Sequence, residues 1–410
     1  MNNTPELLSP AGDLDKMRFG IAYGADAVYM AGTRFGMRAA ATNFDDNALR
    51  EGIAYAHAHG VKCYITVNIM PSNRDLPALP AYLELLQDVG ADALIIADVG
   101  VLRMARRSAP RVPVHISTQT SILNHEAANY WADEGAERIV LARELSLEEI
   151  AEIRAKTPKE LEIEAFVHGA MCISYSGRCL ISQYMTGRDA NHGACAQPCR
   201  WNYSLMEEKR PGQFFPVEED GRGTYLYNSK DMCMIEHVPE LIEAGITSFK
   251  IEGRNKTAYY AACVTGAYRA AIDTYKKDPE NFVLPQFCRD EVNKVSHREY
   301  YTGFYFGNQE NGQHYGDSQY IREYEVVGMP VECDDSGKAV FALKNRFFDG
   351  EELELIQPGQ APYVFRAENV TDDEGTKREL FNVPQMRVHF AFPFKVSEWA
   401  ILRKVKERPE

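Results

Sequence analysis

With 410 residues and a formal net charge of −14, the chain is longer than one hydrophobic core normally grows and too acidic to bind polyphosphate indiscriminately. An apolar fraction of 45% is that of an ordinary globular protein, and no apolar run approaches the ~20 residues needed to cross a bilayer. Two domains, a cytoplasmic location and no membrane partner are therefore expected, and in that reducing compartment nine cysteines argue for metal ligation rather than a disulfide framework.

Taken in order, the first 250 residues repeat one phrase: glycine, small or polar residues, then an apolar run. It reads Gly24-ADAVYMAG, Gly60-VKCYITVN, Gly90-ADALIIAD, Gly135-AERIVLAR and Gly245-ITSFKIEG. A helix that stops at glycine and feeds a buried parallel strand writes this pattern. Asn43 and Asp45 are positioned to cap a helix ending near His59, leucines recur at helical spacing from Pro77 to Val89, and Ser146-LEE is a capping box. Three further runs complete a set of eight strands, near 6–8, 27–31, 63–67, 93–97, 113–117, 138–142, 161–167 and 248–251. Eight strand–helix units predict an α/β fold of (β/α)8 TIM-barrel type, with an open doubly wound sheet as the competitor.

In a barrel the site lies at the carboxyl ends of the strands. The residues there are Ser9, Arg34 and Arg38, Asn68, Asp98, Ser117 and Gln119, Arg143 and Glu144, His168, and Glu252 with Arg254. The barrel is expected over 1–285, with a Cys-rich insertion at 168–230 after strand seven and a connecting segment at 286–319. From 320 to 410 the period changes to short alternating strands between Asp- and Gly-rich turns, which predicts a small all-β barrel or sandwich.

The insertion holds Cys172, Cys179, Cys195 and Cys199, spaced Cys-x6-Cys and Cys-x3-Cys around a gap of fifteen residues. Four thiolates can grip an iron–sulfur cluster or a structural zinc, and the residues leave both open. Cys63 and Cys263 read as small buried hydrophobes, Cys288 and Cys333 as incidental, and Cys233 as a reserve ligand. His168 and Glu252 are candidates for proton handling. Asn68, Gln119, Arg188, Lys250 and Arg254 are candidates for substrate binding, although Lys250 also suits a barrel-interior ion pair. Lys256, Lys230 and Arg200 would add to a local basic patch. No HExxH, GxSxG or phosphate-loop motif occurs.

Several stretches resemble one family. They are EAFVHGAMCISYSGRCLIS (164–182), GRDANHGACAQPCRW (187–201), NSKDM (228–232), KIEGR (250–254), SPAG (9–12) and ARELSLEEI (142–150). Together they are similar to the collagenase-like peptidases, a family without an assigned mechanism. The resemblance covers roughly residues 5 to 275 and extends to the β-rich module. It implies a barrel holding a [4Fe–4S] cluster on Cys172, Cys179, Cys195 and Cys199, and oxygen-independent hydroxylation of a tRNA wobble uridine to 5-hydroxyuridine that depends on prephenate. The implied partners are the tRNA anticodon region, prephenate and a redox partner protein. Two rivals stand beside this: a metal-dependent collagenase-like peptidase, for which no nucleophile–base pair is legible, and a non-catalytic subunit of a hydroxylase complex.

Overall fold

The five glycines of the repeated phrase all adopt left-handed φ, between +72° and +98°, and each ends a helical turn just before a buried strand. The computed structural model describes residues 4–37, 42–172, 179, 181–198, 204–205, 215–216, 230–307 and 320–406. Strands β1 (Glu6–Pro10), β2 (Ala27–Met30), β3 (Lys62–Val67), β4 (Ala93–Ile96), β5 (Val114–Ile116), β6 (Arg138–Val140) and β7 (Glu162–Ala170) pair in parallel, each with the next. The eighth strand, Ser248–Ile251, pairs in parallel with both β1 and β7. That double pairing closes the barrel and excludes the open sheet.

Helices α1 (Leu14–Ala22), α2 (Asp46–Ala58), α3 (Leu79–Asp88), α4 (Val99–Ser108), α5 (His125–Asp133) and α6 (Leu147–Ala155) follow the first six strands. Their starts are written locally. Ser146 and Glu149 form the expected capping box, and Asp45 accepts from the Ala48 N–H at 2.8 Å. Asn43 does not cap α2; it sits two residues before the cap, at φ +54°.

The N-terminal end of the barrel is filled by charge. Arg138 is buried on β6 and donates to Glu6 at 2.6 Å and Glu164 at 3.0 Å, with its guanidinium over the Tyr64 ring. Burial alone would raise the Glu6 carboxyl, but the Arg138 charge and hydrogen bonds outweigh it and hold Glu6 below its usual range. Further up the interior, Lys250 meets the other oxygen of Glu164 at 2.6 Å.

β7 keeps its parallel partner as far as His168. Its last residues pair antiparallel with Asp231–Cys233, which in turn pairs with Tyr300–Tyr301. Thr257 caps the long helix spanning Ala258–Lys277, and a shorter helix follows at Gln286–Asn293.

The C-terminal region is all-β. Seven antiparallel strands run in the spatial order 363–366, 352–356, 401–405, 324–333, 338–343, 387–391 and 371–372, over a core rich in phenylalanine that includes Phe341, Phe347, Phe381 and Phe390. The region docks on the barrel's helices. Arg403, fully buried, donates to Glu291 at 2.7 Å and Glu354 at 2.6 Å, while Trp399 stacks edge-on to Phe19 at 5.3 Å. Those contacts hold the β-rich region against the barrel, so one wall of the cleft between them comes from each.

Candidate functional site at the barrel mouth

The polar residues at the strand ends divide by where they face. Ser9 turns outward to Thr265 at 2.9 Å, Asp98 caps α4 by accepting from the Val101 N–H, and Arg34 pairs with Asp46 at 3.1 Å. These three stabilise the scaffold; Arg38 lies outside the described residues. Asn68 and Gln119 meet in the mouth, with the Asn68 amide donating to Gln119 Oε1 at 3.0 Å and to Ser117 Oγ at 3.2 Å. Arg254, almost fully buried, donates to Thr66 Oγ1 at 3.3 Å. A Cβ on Gly12 would come within 2.0 Å of the Arg254 carbonyl oxygen, so the glycine of SPAG is what lets this turn pack there.

A cavity of about 890 Å³ opens beside that mouth, between the barrel face and the β-rich region. Arg143, Cys172, Cys195, Glu252 and Lys256 line its barrel side; Tyr320, Arg322, Tyr324, Lys344 and Lys406 line the other. Cys172 is exposed, Cys179 and Cys195 are half-buried, and all three are free thiols. Cys199 lies outside the described residues. Among those described, no three His, Cys, Asp or Glu side chains stand close enough together to hold a metal ion. Arg188 braces the same loop, its guanidinium donating to the Ala194 carbonyl at 3.0 Å.

Strand alternation would aim Lys250 and Glu252 the same way, yet they separate. A register shift between Lys250 and Ile251 turns the chain, leaving Lys250 inside with Glu164 and placing Glu252 on the cavity wall. Cys63 and Cys263 are buried as expected of small hydrophobes, and Cys288, expected only to be incidental, is buried too. Cys233 pairs in register with His168, and burial pushes its thiol up to about 12.

His168 does not line this cavity. It sits behind the wall among Tyr260, Tyr268 and Tyr300, with Tyr300 Oη 3.3 Å from Nε2 and Tyr268 Oη 3.5 Å from Nδ1. Burial first, then the neighbouring His297 and Lys256, push its pKa down to about 3, so the ring is neutral in the fold. Among the described residues neither His168 nor His297 hydrogen-bonds a serine or cysteine. Because the folded pKa lies below the unfolded one, His168 contributes stability that is present above pH ~6.5 and lost as pH falls. We expect His168→Gln to make the loss of stability between pH 6.5 and 5 shallower, by a slope approaching ~1.4 kcal/mol per pH unit. Urea unfolding at several pH values measures this; equal slopes for the two proteins would show that the ring's charge is not what acid acts on.

The tyrosine cage and the far wall of the cavity were not legible in the sequence. Tyr268 and Tyr300 lie 100 and 132 residues from His168, and Lys344 and Lys406 belong to a different domain.

Known proteins match most of the chain. The pattern of peptidase family U32 matches residues 12–315, and that of the peptidase family U32 C-terminal domain matches 322–403. The chain is 38% identical over 404 residues to the tRNA hydroxylation protein P1 of Bacillus subtilis, covering 98% of this chain and 95% of that one. It is 37% identical to the tRNA hydroxylation protein P of Escherichia coli, with 90% of each chain covered. A 23S rRNA 5-hydroxycytidine synthase of Escherichia coli is 40% identical across 80% of this chain and 48% of its own length.

Proposed function

This chain belongs to peptidase family U32, and from that membership we propose that it is an RNA-hydroxylating enzyme rather than a protease. The observation that carries the proposal is the near-complete, collinear similarity to two proteins named for tRNA hydroxylation. In its finer form, the substrate is a wobble uridine of tRNA, the product is 5-hydroxyuridine, the location is cytoplasmic, and prephenate is the metabolite on which the oxygen-independent reaction depends.

The donor chemistry suits a [4Fe–4S] cluster. Cys172, Cys179 and Cys195 are free thiols on one loop, and Cys172 and Cys195 share a cavity wall. With Cys199 they would hold the cluster, which when bound would supply electron transfer, exchanging electrons with a redox partner protein. Zinc on the same thiols is the alternative metal.

The chain's own residues bind and orient. Arg254 and Arg188 suit carboxylate or phosphate oxygens, as a guanidinium can donate two parallel bonds. Asn68 and Gln119 present amides at the mouth, where a splayed uridine needs hydrogen-bonding partners on its base edge. Glu252, on the cavity wall, is placed to hold or move a proton. His168, neutral and caged behind Gly169, fixes the strand that leads to Cys172. Lys250 neutralises the buried Glu164, so it shapes the interior below the mouth rather than reaching into the cavity.

Nucleoside mass spectrometry of tRNA from a strain lacking the gene tests the proposal. We expect 5-hydroxyuridine and its derivatives to vanish and to return with a plasmid copy. An unchanged nucleoside profile, or gelatin cleavage that Cys172→Ala abolishes, would overturn it.

A further inference from the structure

The three most deeply buried cations of this acidic protein are matched by carboxylates: Arg138 by Glu6 and Glu164, Arg403 by Glu291 and Glu354, Lys404 by Glu351. The cavity between the two domains breaks that habit. Arg143, Lys256, Arg322, Lys344 and Lys406 line it against two carboxylates, Glu252 and Glu325. Four of those five cations, all but Lys256, have no carboxylate within ion-pair distance among the described residues. Arg143 holds its guanidinium 3.9 Å above the Phe166 ring, and its Nε is buried with no hydrogen-bond partner. Like charges repel one another across the opening, screened by solvent at the exposed Arg322, Lys344 and Lys406 and less so at the half-buried Arg143 and Lys256, so the arrangement favours an anion between them.

The cavity's walls also say what kind of anion. The Tyr320 ring carries Lys256 at 4.5 Å, Arg298 at 4.8 Å and Arg322 at 5.6 Å, which makes a flat surface of aromatic and guanidinium planes at its edge. A volume of about 890 Å³ lies near the top of the ~300–1,000 Å³ range of small-molecule sites, and Lys344 and Lys406 extend the positive wall outward over the β-rich region. Spaced cations beside stacking surfaces are how proteins hold an unpaired nucleic-acid strand.

We propose that one RNA strand crosses this cavity from the β-rich region to the thiol loop, its phosphates held by Arg322, Lys344 and Lys406. This rests on the RNA-hydroxylation reading and adds to it that the C-terminal region is part of the substrate site. Lys344 and Lys406 are exposed and ion-pair with nothing among the described residues, so K344E/K406E leaves the fold intact.

The test uses the full chain and a fluorescein-labelled anticodon stem–loop RNA, with anisotropy titrated against salt. K344E/K406E is expected to raise Kd about tenfold or more near 0.15 M salt, and to lower the log–log salt slope by about 1.4, roughly 0.7 for each lost phosphate contact. The control, K62E/K159E, reverses two exposed charges at the opposite, N-terminal end of the barrel and should bind like the unaltered chain. Thermal unfolding and the visible spectrum should be the same for all three proteins. K344E/K406E binding as tightly as the unaltered chain would overturn the surface and leave the reaction standing. So would lost hydroxylation with unchanged RNA binding, which assigns the cavity to a small anion instead. An unaltered chain that neither binds the RNA nor restores the modified nucleoside in cells would overturn both.

Discussion

Replacing Cys172 with alanine is expected to strip the protein of its iron, its sulfide and its visible absorption, and to abolish RNA hydroxylation, while leaving thermal unfolding of the scaffold nearly unchanged. The side chain is exposed at the rim of the cavity, so its removal leaves no hole in the core. On the proposed ligand set the loss falls on ligation, because the reserve donor, Cys233, is paired in register with His168 and burial pushes its thiol up to about 12. Cys63 supplies the contrast. It is fully buried within β3, where burial holds the thiol protonated, so Cys63→Ala should cost about 1 kcal/mol of stability and leave iron content intact. Anaerobic purification with iron, zinc and sulfide analysis separates the outcomes. Iron retained in Cys172→Ala would remove this residue from the ligand set, and a colourless, zinc-rich unaltered protein would replace the cluster with a structural metal.

The second large effect is expected at the other end of the barrel. Arg138→Met should destabilise the protein by ~3–5 kcal/mol near pH 7, because it leaves the half-buried Glu6 beside the buried Glu164 with only Lys250, held on the far oxygen of Glu164, to offset them. The pH dependence carries the diagnosis. In the unaltered protein Glu6 titrates below its unfolded value, so its contribution is present above the usual carboxylate range and lost as pH falls through the depressed one. Without Arg138, burial dominates and raises the carboxyl; the variant then loses stability as pH rises, and the gap between the two proteins narrows in acid. Adding Glu6→Gln to Arg138→Met should recover part of the loss. Urea melts at pH 5 and pH 7 decide it; a difference under about 1 kcal/mol at pH 7 would mean that water, not Arg138, satisfies these carboxylates.

Glu6 and Arg138 show where legibility stops. Each can be placed on its strand from the alternation around it, but that one guanidinium serves Glu6, Glu164 and Ser248 follows only once β1, β6, β7 and the eighth strand close on each other. Lys250 makes the same point. Its spacing from Glu252 implies a shared direction, which holds in a regular strand, and the register shift after Lys250 breaks that regularity.

The barrel's eight strands and the caps at Asp45 and Ser146 were determined by the sequence alone, since each depends on neighbours a few residues away: a glycine that accepts left-handed φ, a side chain facing the N–H three residues on, apolar runs of strand length. Tertiary structure alone decided that His168 is caged and neutral, that Glu252 reaches the cavity, and that Lys344 and Lys406 face the same opening as Cys172. Those relations join residues about eighty to more than two hundred positions apart. They are fixed by burial and by how the β-rich region docks around Arg403, and neither leaves a local pattern in the chain.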